Sequence, residues 1–201
     1  MVDRQLRRRG ISDERVLQAM TEVPRDLFLP PELRSEAYRD GAVPIGEGQT
    51  MSQPWIVACM TALLELDGDE RVLEVGTGSG YGAAVLSVCC REVVTIERHP
   101  SLAQTAAETL ARLGYHNVEV RTGDGSLGAP DRAPFEGILV TAVAEEEPPP
   151  ALVAQLGPDA ALVCPVRCAD GEHLTRFRGD RAERIVPVRF VPLVSAPPER
   201  G

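Results

Sequence analysis

Hydrophobic residues recur along the middle of the chain with two alternating periods. Short apolar runs of the kind that form buried strands lie at residues 71–75, 92–97, 118–123, 135–142 and 161–166. Segments with apolar residues at helical spacing separate them, at residues 81–90, 101–114 and 150–156. Because strands that alternate with helices pair in parallel, this order predicts an α/β protein with a mostly parallel sheet and helices on both faces.

The N-terminal part of the chain is predicted to be helical. Ser12 is the predicted cap of a helix through residues 13–23, whose apolar positions recur at helical spacing. Pro24 ends that helix. A predicted loop at residues 38–54 then leads to a second helix at residues 55–66, with Pro54 marking its start.

The C-terminal part changes to an alternating pattern of apolar and polar residues. Segments 172–179 and 183–194 flank a Gly179–Asp180 turn, which predicts a pair of antiparallel strands added to the sheet. A chain of 201 residues is long enough for one full-sized core. We therefore expect a single domain, divided into a helical N-terminal addition with a loop at 1–54, an α/β core at 55–166, C-terminal strands at 167–194 and a tail at 195–201.

Composition limits where such a domain acts. No stretch approaches the roughly 20 apolar residues of a membrane-spanning helix, and no apolar segment of a secretion signal follows "MVDRQLRRRG". The five cysteines form no even, spaced framework, which indicates reduced thiols. We expect a cytoplasmic protein with no membrane partner.

Charge excludes several classes of function. The net charge of -9 repels phosphate backbones, so we expect no nucleic-acid partner. The basic group at Arg4, Arg7, Arg8 and Arg9 is interpreted as a solvated helix face. All 21 basic residues are arginine, which excludes Schiff bases, pyridoxal phosphate attachment and the Walker P-loop because each needs a lysine.

Histidine and cysteine spacing gives no sign of a metal or a nucleophile. His99, His116 and His173 lie far apart in sequence and are interpreted as ordinary surface or loop residues. Cys164 and Cys168 form a lone C-x-x-x-C without a partner pair. The sequence therefore predicts no metal site.

The segment "LEVGTGSGYG" carries the first positive indication of a ligand. Gly76, Gly78 and Gly80 join a predicted strand to a predicted helix, where glycines let a ligand approach the backbone closely. Glu74 at the end of the strand would repel a pyrophosphate and attract an ammonium or sulfonium. S-adenosylmethionine carries both of these cations together with an adenosine and has no phosphate.

Two more carboxylates end the following strands. Glu97 is placed to accept hydrogen bonds from ribose hydroxyls, although that spacing also suits NAD. Asp124, followed by Gly125, could accept the adenine amine, or could be an ordinary Asp-Gly turn residue. Together the three acidic positions favour a nucleoside ligand at the carboxyl edge of the sheet.

The sequence resembles the protein-L-isoaspartate (D-aspartate) O-methyltransferase family over nearly its whole length. The segments that carry the resemblance are "VPIGEGQTMSQPWIVA", "VLEVGTGSGYGAAVL", "LARLGYHNVEVRTGDG" and "APFEGILVTA". It implies a Rossmann-like fold that transfers a methyl group from S-adenosylmethionine to the free α-carboxyl of an isoaspartyl residue in a damaged protein. The resulting ester closes to a succinimide, which can reopen as aspartate.

The resemblance also implies roles for individual residues. The serine of "TMSQP" has the active-site role in this family, which assigns that role to Ser52 here, with Gln49 and Thr50 beside it at the substrate. The family's cofactor positions correspond to Gly76, Gly78, Glu97 and Asp124. Judged from the residues alone, Ser52 could instead cap the helix that follows it.

The sequence departs from the family pattern in two regions. In "AVAEEEPPP", Glu145, Glu146 and Glu147 stand near the expected active-site rim, where negative charge should disfavour acidic peptides. The segment that begins at Gly157 and the residue Arg167 replace a family glycine-basic pair and a family glycine. These changes leave turn geometry and substrate contacts open.

Three functions remain consistent with the sequence. The favoured one is repair of isoaspartyl proteins or peptides by a monomeric carboxyl methyltransferase. A second is a tailoring methyltransferase that modifies an aspartate in one dedicated peptide. A third is a protein that binds S-adenosylmethionine without catalysis, which an intact Ser52 argues against. The chemistry needs little apparatus, because an α-carboxyl with a pKa of roughly 3.5 is already a nucleophile at neutral pH.

Overall fold

The structure, a computed structural model, describes residues 1–195, so residues 196–201 of the predicted tail lie outside it. Its strands are β1 Val43–Gly46, β2 Gln49–Met51, β3 Arg71–Val75, β4 Glu92–Glu97, β5 Val118–Thr122, β6 Phe135–Val140, β7 Ala144–Glu145, β8 Leu156–Cys168, β9 Gly171–Arg178 and β10 Arg181–Pro187. Its α-helices are α1 Glu14–Glu22, α2 Pro54–Ala62, α3 Tyr81–Cys89, α4 Pro100–Leu113 and α5 Pro150–Val153. No helix within residues 1–195 is both long and apolar enough to cross a bilayer.

One sheet of eight strands organises the fold. Seven of them follow the order β10-β9-β8-β6-β3-β4-β5, and β7 pairs with β8. All pairs are parallel except β8 with β9 and β9 with β10. The chain moves outward from β3 to β5 and then returns to the other side of β3 at β6. In such sheets ligands bind at the carboxyl ends of the strands where this reversal occurs.

Alternation along the strands supplies two hydrophobic clusters, one for each face of the sheet. Val72 of β3 belongs to the cluster that also contains buried residues of α1 to α4. Leu73, its neighbour in sequence, belongs to the second cluster, which contains Leu152 of α5. The predicted α/β fold with a mostly parallel sheet and antiparallel C-terminal strands is therefore confirmed.

The N-terminal helical part packs against the same cluster as α3. Leu6 and Leu17 are almost fully buried there. The cap of α1 is Asp13, whose side chain accepts a hydrogen bond from the Val16 amide, so the prediction of Ser12 as the cap was wrong by one residue. That all described residues form one domain stays a prediction.

Two further segments differ from the sequence prediction. The predicted loop at 38–54 contains a small antiparallel sheet of β1 and β2. The predicted strand at 183–194 ends at Pro187, and residues 188–194 belong to no named strand. The Val188 amide still donates to the Glu172 carbonyl of β9 at 2.9 Å. Beyond it, the segment is held by hydrogen bonds between Val143 and the backbone of Val191 and Leu193.

Candidate active site

A large cavity opens at the carboxyl ends of β3, β4 and β6. Its volume is about 1050 Å³. Its lining includes the glycine loop after β3, the segment 48–53 around β2, part of helix α2, and the segment 187–194. The cavity thus lies where the sheet topology predicts a ligand site.

The glycine loop has a backbone that side chains would obstruct. Gly76, Gly78 and Gly80 all adopt positive φ angles, of 96°, 54° and 87°. At Gly76 a Cβ atom would lie 2.2 Å from the hydroxyl oxygen of Thr141, and that hydroxyl donates to the Val75 and Gly76 carbonyls at 3.0 and 2.9 Å. Thr141 therefore fixes the loop, and only glycine fits beneath it.

Glu97 presents an oriented carboxylate to the cavity. One of its oxygens accepts from the Gly78 amide at 2.8 Å and the other from the His99 amide at 3.0 Å. The residue is only 4% exposed, yet it lines the cavity. Because each carboxylate oxygen can accept more than one hydrogen bond, Glu97 retains acceptor capacity for a diol.

Glu74 is buried under the first turn of α3. Its carboxyl accepts a hydrogen bond from Thr95 at 2.6 Å, and a Cβ on Gly82 would lie 2.4 Å from one of its oxygens. Burial and, to a smaller extent, the nearby carboxylate of Glu97 raise the pKa of Glu74 to about 8, against the lowering effect of the Thr95 hydrogen bond. The carboxyl is thus neutral at pH 7 unless a cation lies beside it, which weakens the charge argument that the sequence suggested.

Replacement of Glu74 by glutamine should change how stability depends on pH. Because the pKa of Glu74 is about 8 in the folded protein and ordinarily 4.5, folding opposes its ionisation, and stability falls as pH rises through that interval. At about 1.4 kcal/mol per pKa unit, the loss amounts to about 5 kcal/mol. The Glu74→Gln variant should lack this loss.

Urea titrations between about pH 5 and 8 measure the difference, since the free energy of unfolding follows from the midpoint and slope. Glu32→Gln, a change at an exposed glutamate, is the matched control and should keep the wild-type slope. If the free energy of unfolding changes with pH in the same way in wild type and in Glu74→Gln, the argument from the burial of Glu74 is wrong.

The other predicted cofactor residues fall into two groups. Gly125 lines the cavity and packs closely against Val75. Gly80 and Asp124 are not among the described residues that line it. One oxygen of Asp124 accepts from the amide and the hydroxyl of Ser126, at 2.9 and 2.7 Å, as expected of a turn residue.

The predicted substrate residues lie together in one segment of the cavity lining. Gln49, Thr50 and Ser52 all line the cavity, the first two on β2 and the third directly after it. Helix α2 takes Gln53 as its N-cap and has no side-chain cap hydrogen bond. Ser52 therefore does not cap the helix, which was the alternative explanation for its position.

Comparison with known proteins gives the chain its family. The family model described as protein-L-isoaspartate(D-aspartate) O-methyltransferase matches residues 1–197. The chain belongs to this family. A Myxococcus xanthus protein-L-isoaspartate O-methyltransferase is 48% identical, with 98% of this chain and 96% of that protein covered. A relative of the same name from Methanoculleus marisnigri is 51% identical, with 96% and 90% covered.

Solved structures of the family have the same fold. One protein-L-isoaspartate O-methyltransferase is 29% identical with a TM-score of 0.83, and the match covers 96% of this chain and 65% of that one. A Plasmodium falciparum structure in complex with S-adenosyl-L-homocysteine is 25% identical with a TM-score of 0.80 and 94% of each chain covered. The predicted family, fold, enzyme class and S-adenosylmethionine cofactor are confirmed.

Sequence reasoning missed several residues of this methyltransferase cavity. Thr141 lines it, and so do residues of the segment 187–194. His99 was interpreted as an ordinary surface or loop residue and needs correction, because it also lines the cavity beside Glu97. Only the glycine loop and the acidic strand ends carried a signal that could be found in one sequence, since the other residues are brought in by tertiary packing.

The departures from the family pattern pair with one another. Arg167 on β8 forms ion pairs with Glu145 on β7 and with Glu172. Within residues 1–195, Glu145, Glu146 and Glu147 are not among the residues that line the cavity. Part of the negative charge predicted for the rim is therefore neutralised by the arginine that replaces a family glycine.

One group of metal-type ligands lies outside the cavity. The ligand atoms of Cys168, Asp170 and His173 at the β8–β9 turn lie within 4.8 Å of one another. Asp170 is also 3.5 Å from the guanidinium of Arg184, whose charge opposes a bound cation. Cys164 is fully buried and does not take part. The absence of a functional metal stays a prediction.

Proposed function

We propose that this protein transfers a methyl group from S-adenosylmethionine to the α-carboxyl of L-isoaspartyl residues in damaged proteins or peptides. The observation that carries the proposal is that Ser52 lines the same cavity as Glu97 and the Gly76 loop. Donor and acceptor can therefore meet in one enclosed space. Membership of the isoaspartyl methyltransferase family supports this acceptor.

The residues of the cavity suit the proposed cofactor. Glu97 is placed for the ribose hydroxyls, and Gly76 and Gly78 leave their backbone open to a close approach. Glu74 lies below the loop, where a cationic neighbour would favour its ionised form. When bound, S-adenosylmethionine supplies an activated methyl group on a positively charged sulfur.

The chain's own contribution is to position the acceptor. We assign to Ser52 the role of donating a hydrogen bond to one oxygen of the acceptor carboxylate, which aims the other oxygen at the methyl group. Gln49 and Thr50 line the same wall and are assigned to the peptide around it. Such a carboxylate is already ionised, so proximity and alignment can supply the catalysis without a general base.

The rate of the chemical step should therefore vary little between about pH 6 and 8, because the acceptor pKa of roughly 3.5 lies far below that range. Single-turnover rates at saturating S-adenosylmethionine measure this step without the pH dependence of cofactor binding that Glu74 could add. A rate that rises tenfold per pH unit through neutrality would instead indicate an amine or hydroxyl acceptor.

Conversion of an isoaspartyl linkage to a normal aspartyl linkage tests the whole proposed function. An isoaspartyl peptide incubated with the protein and S-adenosylmethionine should be converted gradually to its aspartyl form through the succinimide, as followed by chromatography. Replacing the cofactor by S-adenosylhomocysteine should stop the conversion. Stable methylation of one aspartyl peptide would favour a dedicated tailoring enzyme, and binding without any product would favour a non-catalytic protein.

We further propose that the protein acts in the cytoplasm as a monomer, without a nucleic-acid or membrane partner. The five cysteines are free thiols, which suits a reducing compartment. The net charge of -9 disfavours contact with phosphate backbones.

A further inference from the structure

Arg25 is a buried arginine whose charge has no carboxylate partner among the residues that the structure describes. Its side chain is 0% exposed, and within residues 1–195 it takes part in no salt bridge. Its Nε donates to the Ala37 carbonyl at 2.7 Å and its Nη2 to the Ser52 carbonyl at 2.6 Å. The guanidinium carbon lies 4.7 Å from the centre of the Tyr81 ring. Two carbonyls and an aromatic face thus hold the cation.

Burying this charge lowers the stability of the folded protein. A guanidinium removed from water without a carboxylate is destabilising, and Nη1 of Arg25 is buried without a hydrogen-bond partner among the described residues. An apolar side chain of similar length would fill the space with no such penalty. The contacts of Arg25 therefore point to a role in what they hold in place.

The contacts of Arg25 join the two halves of the proposed site. Ser52 belongs to segment 48–53, the acceptor wall, whereas Tyr81 is the first residue of α3, directly after the glycine loop. The loop has other anchors, through Glu97 and Thr141. The acceptor wall lies outside the main sheet, because β1 and β2 form a separate two-stranded sheet.

We propose that Arg25 is a positioning residue that sets the placement of Ser52 relative to the cofactor loop. The proposal rests on the proposed function, in which Ser52 orients the acceptor carboxylate. A misplacement of about 1 Å between reacting groups can reduce the rate roughly a hundredfold. A rigid planar fork that holds the Ser52 carbonyl while it stacks on Tyr81 supplies this precision better than a flexible ammonium group.

Two variants of Arg25 and one matched control test the role. Arg25→Met keeps the length of the side chain but removes its charge and donors, and Arg25→Lys keeps the charge without the planar fork. Arg15→Met is the control, because Arg15 also donates to a backbone carbonyl, that of Asp67 at 2.6 Å, but Asp67, unlike Ser52, does not line the cavity. All are assayed at a temperature at which melting curves report folded protein.

We expect Arg25→Met to lower turnover without weakening cofactor binding. In Arg25→Met, kcat with an isoaspartyl peptide should fall about tenfold or more, because the acceptor is misplaced. The Kd for S-adenosylhomocysteine should stay close to that of wild type, since Glu97 and Thr141 hold the loop. Amide hydrogen exchange in residues 49–53 should accelerate as that wall loosens. Arg15→Met should change neither kcat nor this exchange.

Different results would reject the positioning role of Arg25 and the proposed methyltransferase function. Wild-type protein that does not methylate the isoaspartyl peptide rejects the function itself. Active wild type with unchanged kcat per folded molecule in Arg25→Met rejects the positioning role alone, as does an equal loss of kcat in Arg15→Met. If Arg25→Met does not fold, Arg25→Lys decides: an intermediate kcat supports the role, and wild-type kcat overturns it.

Discussion

Replacing Ser52 with alanine should reduce methyl transfer by about tenfold or more, because misplacing the acceptor carboxylate by about 1 Å can lower the rate roughly a hundredfold. The affinity for S-adenosylmethionine should barely change, because the proposed cofactor contacts come from Glu97 and the glycine loop, not from Ser52. Turnover at saturating cofactor and peptide, normalised to folded protein, measures the effect. Calorimetry with S-adenosylhomocysteine checks that cofactor binding is retained.

The matched control for this prediction is Ser87→Ala. The Ser87 hydroxyl is buried in α3, where it donates to the Ala84 carbonyl at 2.7 Å, and it does not line the cavity. Its loss should reduce stability by about 1 kcal/mol and leave turnover per folded molecule unchanged. If Ser52→Ala behaves in the same way as Ser87→Ala, Ser52 has no part in positioning the acceptor.

Replacing Glu97 with alanine should weaken the binding of S-adenosylmethionine by about 1 to 3 kcal/mol through lost charge-assisted hydrogen bonds. The change removes the proposed contact with the ribose hydroxyls. It also releases the Gly78 and His99 amides that the carboxylate now holds. Both effects lower affinity for the same ligand, so the cofactor Kd should change more than kcat at saturation.

Isothermal calorimetry with S-adenosylmethionine, S-adenosylhomocysteine and NAD tests this prediction. Glu108→Ala, at an exposed carboxylate on α4, makes the same change in net charge and should leave the Kd at its wild-type value. Tight binding of NAD by the wild type, with no binding of S-adenosylmethionine, would contradict the cofactor assignment. Equal effects of the two substitutions would instead indicate long-range charge as the cause.

The strands at the centre of the sheet could be predicted from the sequence with their observed ends. Strands β3 and β4 occupy residues 71–75 and 92–97, as predicted, because both are buried between helices and read as continuous apolar runs. The glycine loop was equally visible, since few other residues adopt the positive φ angles that it needs. Local sequence determines these features, and one chain is enough to find them.

Features that depend on tertiary packing could not be predicted in this way. Strands β1 and β2 have only four and three residues, too few for a period to appear. Helix α5 has four residues, fewer than the segment 150–156 predicted, because Leu156 already begins β8. The residues next to Arg25 in the sequence are both polar and apolar, and they do not indicate that Arg25 is buried.

Among the functional residues, too, local sequence predicts some positions, and others depend on tertiary packing. Glu97 could be placed from its position at a strand end, because parallel strands bring their carboxyl ends to one edge of the sheet. The same reasoning places Glu74 at the cavity but does not predict its burial, because the burial that raises its pKa depends on the packing of α3. Ser52 was assigned by family resemblance, and only the structure excludes its role as a helix cap.

Transfer of a labelled methyl group to a matched pair of peptides tests the central claim most directly. The two peptides have the same sequence and differ only in whether one residue is linked as L-isoaspartate or as L-aspartate. The account predicts that the protein incorporates label from S-adenosylmethionine into the isoaspartyl peptide, as a base-labile ester, and far more slowly into its aspartyl twin. Equal incorporation into both peptides, or incorporation into neither while the cofactor binds, would contradict it.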